Sequence, residues 1–274
     1  MRHESGSVTV NGARLAYDIQ GDGHPLVLIH AGIADRRQWD DQMDAFAARY
    51  TVIRYDQRGW GDSSAPAGPV AFHEDLYGLL RALNIAQAHI LGISMAGTMA
   101  IDFALTHPDM VSSLVLVGSW LSGYPTVPSD AEKAVWERYQ AALDEGRLDC
   151  ANKVEVDLKL AGIHRDPTQV DPAVRERLLA IHRPAFDRLA ERDRMTPWLK
   201  PEPPAASRLA ELHAPTLVIY GDLDVPVIPV IAAKLAAEIR GARTIVMPGT
   251  AHVPNMEQPQ QFNHIVLDFL ASLP

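Results

Sequence analysis

The chain has one cysteine, Cys150, in 274 residues. One thiol cannot form an internal disulfide, and a reducing compartment is expected. Nothing near Cys150 suggests a cysteine–histidine pair, so it is read as a small buried apolar group. Basic residues are in the minority, 25 Lys and Arg against 34 Asp and Glu, for a net charge of −9. That balance argues against nucleic acid or an anionic membrane surface as partner. No apolar run is long enough to cross a bilayer, and residues 1–7 contain no apolar core of a signal peptide. A cytoplasmic location is therefore expected. There is no His-x-x-x-His, no Cys-x-x-Cys and no phosphate loop, so no metal and no cofactor is expected.

What is present is a 47% hydrophobic chain, enough for one large core. Residues 7–10 and 14–20 alternate in polarity around Asn11-Gly12, which predicts a hairpin. Six short apolar runs follow, near 25–30, 51–56, 88–92, 113–118, 216–221 and 244–248. Runs of this kind suit parallel strands buried on both faces. Helical spacing appears between them: Trp39, Met43, Phe46 and Ala47; Leu76, Leu79, Leu80 and Leu83; and residues 95–106, 229–239 and 258–271. The alternation predicts an α/β fold with a mostly parallel sheet. It breaks between 121 and 207, where helical stretches near 130–145, 150–161 and 171–194 lie between proline clusters. This region is read as a helical cap inserted after the sixth strand, leaving 1–120 and 208–274 as the core.

Gly92-Ile-Ser-Met-Ala-Gly97 lies where a buried strand gives way to a helix. A serine on so sharp a turn holds its oxygen above the sheet, the arrangement of a nucleophile elbow, usually G-x-S-x-G. The competing dinucleotide pattern G-x-G-x-x-G fails because Ser94 occupies its middle glycine. A serine nucleophile needs a base, and the base needs an acid to orient it, in chain order Ser, Asp or Glu, His. His252, in the loop after the last strand, is the candidate base; His264 falls inside a helical pattern and is read as structural. Of the two carboxylates in Gly221-Asp-Leu-Asp224, Asp224 is chosen as the acid and Asp222 as a turn former. Gly32 and Met95 are expected to point backbone N–H groups at a carbonyl oxygen. His30 is read as a loop brace, and Asp56 with Arg58 as a structural ion pair.

These motifs together resemble the α/β-hydrolase superfamily along nearly the whole chain: the hairpin, His30-Ala-Gly32, Asp56-Gln-Arg-Gly-Trp-Gly-Asp-Ser63, the elbow, Gly221-Asp-Leu-Asp224 and Gly249-Thr-Ala-His252. The subgroup it resembles holds small esterases, enol-lactonases, cofactor-free haloperoxidases and carbon–carbon bond hydrolases. Ala31 and Ala96 stand where the family usually has glycine, and Ile93 where it often has a polar residue. The resemblance implies an eight-stranded sheet, and a serine hydrolase acting on a small-molecule ester or lactone, as monomer or homodimer. Enol-lactone hydrolysis, perhydrolysis, carbon–carbon cleavage and a slow-turnover ligand receptor are the alternatives. Ile33, Ile93, Trp120, Trp136, Trp198 and Val253 are candidate lining residues; Tyr139 and Met195 belong to the same cap set. Arg165, Arg183 and Arg192 are weighed, as a minority reading, as ligands for a substrate carboxylate.

Overall fold

The computed structural model describes residues 3–65, 68–191 and 197–273. The hairpin strands β1 (His3–Val10) and β2 (Ala13–Gln20) pair antiparallel through the Asn11-Gly12 turn. Then come β3 (His24–Ile29), α1 (Asp40–Ala47), β4 (Tyr50–Tyr55), α2 (Phe72–Ala82), β5 (Ala88–Ile93), α3 (Met95–Thr106) and β6 (Val111–Val117). Three helices follow: α4 (Asp130–Asp144), α5 (Leu148–Ala161) and α6 (Pro172–Glu191). The sheet resumes with β7 (Thr216–Gly221), α7 (Val227–Glu238) and β8 (Arg243–Met247), and the chain closes with α8 (Pro254–Glu257) and α9 (Pro259–Ala271). The eight strands lie in the order β1-β2-β4-β3-β5-β6-β7-β8, and β3 through β8 are parallel.

The apolar runs are continuous because both faces of the sheet are covered. Successive side chains leave a strand on opposite sides. Thus Val27, Ile90, Leu114 and Leu116 pack with α2, α3 and α7 on one face. Leu28, Leu91, Val115 and Val117 pack with α1 and α9 on the other. Each fully buried aliphatic contributes about 1.5–3 kcal/mol. The second face also takes Val156 and Leu160 from α5 and Leu178 and Ile181 from α6. No helix among the described residues is long and apolar enough to cross a membrane.

Two expectations are corrected. Asp56 does not pair with Arg58. It accepts from the Arg36 N–H at 2.8 Å and forms an ion pair with the Arg36 guanidinium, while Arg58 forks onto Asp75 at 2.7 and 2.9 Å. The reason is direction: Asp56 faces the loop after β3, whereas Arg58 turns beneath it toward α2. Cys150 is half-buried at the rim of a small cluster around Ala142, Ala151 and Phe186, and accepts a contact from Arg147 at 3.3 Å. His264 is exposed on α9 beside Asp268.

Candidate active site

The parallel strands place their C-terminal ends along one edge, where ligands collect in open α/β sheets. Ser94 follows β5 with φ +60° and ψ −120°, a left-handed conformation that side-chain-bearing residues rarely adopt. The small neighbours make the turn possible. A Cβ on Gly92 would fall 2.4 Å from the Ala96 carbonyl oxygen, and one on Gly97 would fall 2.4 Å from Ser119 Oγ. The close approaches are at 92 and 97, so Ala96 is accommodated and simply packs into the core. The Ser94 N–H donates to the Val117 carbonyl at 2.8 Å, which ties the turn to β6.

From this turn Ser94 Oγ lies 2.7 Å from His252 Nε2, across 158 residues of sequence. On the other side of the ring, His252 Nδ1 lies 2.9 and 2.8 Å from the two oxygens of Asp224. A carboxylate can only accept here, so Nδ1 carries the proton, and Nε2 is left to accept from the serine hydroxyl. All three side chains are buried, at 7%, 1% and 5% exposure for Ser94, His252 and Asp224. Burial holds the His252 imidazole below its ordinary titration range, against the opposing pull of Asp224. The ring is therefore neutral near pH 7. Asp224 also accepts from the Val225 N–H at 2.7 Å. Asp222 accepts from the Gly249 N–H at 2.7 Å and so joins its loop to the one that carries His252.

Gly32 packs against Met95: a Cβ there would sit 3.7 Å from Met95 Sδ. Trp60 Nε1 donates to the Gly32 carbonyl at 2.7 Å, and Ala31 N–H donates to Gln38 at 2.8 Å, fixing the loop. His30 is fully buried. Its Nδ1 faces the Ala31 carbonyl at 2.8 Å and its Nε2 accepts from the Gln57 N–H at 3.0 Å, the geometry of a brace. Burial keeps it below the ordinary imidazole range as well.

The lining candidates separate. Trp120 and Trp198 border a cavity of about 370 Å³ that also touches Met95, Thr98 and Lys200. Trp120 and Trp136 border a second of about 60 Å³, beside Leu158, Lys159 and Val225. Ile33, Ile93 and Val253 are buried in the face shared with α1 and α9. Tyr139 packs edge-on to Trp136 and Phe186 within the helical segment. Met195 and Arg192 lie outside the described residues. Arg165 is bound to Glu257, and Arg183 to Asp149. Sequence reasoning missed Thr98 and Lys200. The signal for Thr98 is its place one helical turn beyond Met95, on the same face of α3. Among the described residues, no three His, Cys, Asp or Glu side chains converge as a metal-binding group.

A family model described as the alpha/beta hydrolase fold matches residues 24–259. The chain belongs to the α/β-hydrolase family. Among its relatives is a 2-hydroxy-6-oxononadienedioate/2-hydroxy-6-oxononatrienedioate hydrolase of Paraburkholderia phymatum, 30% identical over 94% of this chain and 91% of that one. The solved bromoperoxidase of Bacillus anthracis superposes with a TM-score of 0.81 at 25% identity, covering 98% of this chain and all of that one. The enol-lactonase of Burkholderia xenovorans superposes at 0.78, also at 25% identity, over 97% of this chain and all of that one. This α/β-hydrolase is thus a hydrolytic enzyme of the same subgroup.

Proposed function

We propose that this α/β-hydrolase cleaves carboxylic esters and lactones through an acyl-enzyme on Ser94. The observation that carries the reading is the unbroken hydrogen-bonded chain from Ser94 Oγ through His252 to Asp224, held on a left-handed serine. His252 takes the hydroxyl proton as Ser94 attacks the carbonyl, then returns it to the leaving alcohol. Asp224 fixes the tautomer and stabilises the imidazolium. The Gly32 and Met95 N–H groups receive the oxyanion, each contributing about 10²–10³ in rate. Water, activated by the same histidine, then releases the acid. The cavity of about 370 Å³ bounded by Trp120 and Trp198 suits a small apolar acyl group.

A second reading has one observation behind it, the 30% identity to the nonadienedioate hydrolase. That keto acid contains no ester, so its hydrolysis breaks a carbon–carbon bond. The test for both is a panel of p-nitrophenyl esters from acetate to decanoate, with lactones and a vinylogous keto acid alongside. Ester or lactone turnover should fall by about 10⁴ or more in Ser94→Ala. Substantial activity in that variant overturns the serine assignment, and turnover of the keto acid alone selects the second reading.

A further inference from the structure

The last turn of α5 and the residues after it touch the two loops that carry Asp224 and His252. The His252 N–H donates to the Lys159 carbonyl at 3.0 Å. Gly162, with φ +67°, lies so close to the acid loop that a Cβ would fall 2.0 Å from the Leu223 carbonyl oxygen. Arg165 donates from Nη1 to the Gly249 carbonyl at 3.0 Å, and from Nη2 to the Leu160 carbonyl and to Glu257 Oε2, the last at 2.6 Å. Glu257 in turn accepts the Ala251 N–H at 2.8 Å through its other oxygen. The two side chains are largely buried, at 15% and 6% exposure. One guanidinium and one carboxylate thus bridge α5, the loop after β8 and the end of α8.

We infer that Arg165 and Glu257 are positioning residues that hold His252 and Asp224 in register from the helical segment, so that α5 acts as a fixed buttress of the relay. The inference rests on the Ser94–His252–Asp224 reading. Burial accounts for the pair's strength as a tie. It pushes the Glu257 carboxyl upward against the Arg165 hydrogen bond, so the carboxylate depends on that guanidinium for its charge. Removing Arg165 leaves the Ala251 N–H bonded to a carboxyl no longer anchored on α5. The loop is then free to shift, and displacements of about 1 Å at a base cost up to a hundredfold in rate. A purely structural tie between a cap and a core has no reason to converge on residues 159–165, 223, 249, 251 and 252 together.

The test compares Arg165→Met, Arg165→Lys and Glu257→Gln. The first readout is the low-field His252 Nδ1–H proton resonance, assigned by its loss in Asp224→Asn. It should broaden or vanish in Arg165→Met and persist in Arg165→Lys. The second is kinetic: kcat should fall about tenfold to a hundredfold in Arg165→Met with KM within about twofold. The acid limb of the pH profile should move up toward the ordinary imidazole range as water reaches the ring. The charged groups that act on the ring are Asp224 and Lys159, while Glu257 acts on Asp224. If Arg165→Met unfolds, Gly162→Ala probes the neighbouring contact of the same buttress, with Leu223 of the acid loop, while leaving the ion pair intact. An unchanged resonance and unchanged pH limb, with only a lower Tm, overturn the inference. If the wild-type enzyme turns over no substrate, the hydrolase reading fails, while the resonance still decides whether Arg165 positions His252.

Discussion

Helices α4 and α5 are neighbours in one insertion, yet they are held in opposite ways. α5 buries Ala151, Asn152, Val156, Leu158, Leu160 and Ala161 and shares the core of the sheet face beneath it. α4 buries only Glu132 and Ala142. Its N-terminus is closed by its own capping box, Ser129 with Glu132, and its surface carries local pairs such as Lys133 with Asp130. Trp136 stands 37% exposed on it, and Val127 just before it 85%. The segment is therefore not a single lid. α5 is tied to the edge that carries Asp224 and His252, and α4 roofs the smaller cavity, packed on α5 through few buried side chains. A helix with few buried contacts opens at low free-energy cost.

The largest effect that tests this division lies at the edge α5 supports. Asp224→Asn should lower kcat by about 10⁴, because the amide cannot hold the Nδ1–H tautomer. Steady-state kinetics check it; a loss under tenfold would detach the acid from the relay. Next are two glycines of the insertion that share a positive φ. Gly162→Ala should cost about 2–4 kcal/mol and roughly tenfold in kcat, since its Cβ meets the Leu223 backbone. Gly146→Ala, at φ +69° with nothing within 4 Å, should cost only about 1 kcal/mol and leave kcat unchanged. Urea unfolding and kinetics on both would expose equal effects, which the division forbids.

The chain's return from the insertion offers a further contrast. Asp102, on α3, is fully buried with neither oxygen partnered, and Lys200 and Arg208 are the cations nearest it. Burial raises its carboxyl to about 7 against those two charges. The unfolded chain ionises near 3.8, so the folded state binds the extra proton between those values. Its contribution to stability is then lost as pH rises from about 4 through 7. Asp102→Asn should be more stable than wild type at pH 8, by on the order of 2–4 kcal/mol, and lose that advantage by pH 4. Denaturant midpoints at both values measure it, and a gap that does not vary with pH would show that Asp102 is ionised throughout. The smallest effect belongs to α4. Trp136→Ala should change KM a few-fold for bulky esters with Tm within a few degrees. A collapse in kcat would make α4 part of the buttress.

Much of this was legible before any coordinate. The strands showed as apolar runs because both faces are covered, and the hairpin because Asn11-Gly12 suits a left-handed turn. Ser94, Asp224 and His252 could be picked out because each sits where a strand ends, in chain order. Side-chain partners were not legible. Asp56 finds Arg36 and not its near neighbour Arg58, and Arg165 finds Glu257 across 92 positions, because reach is set by the path of loops in space. Asp102 shows in the sequence only as the one carboxylate of α3, set in the apolar run Met99-Ala-Ile-Asp-Phe-Ala104.

The bond from the His252 amide to the Lys159 carbonyl sets a rule for anyone who would graft specificity between relatives. A chimaera that swaps residues 121–207 whole also swaps the acceptor beneath the histidine, the glycine against the acid loop and the arginine on Glu257. The splice that exchanges substrate contacts while keeping the parental machinery runs through α4 and stops before α5.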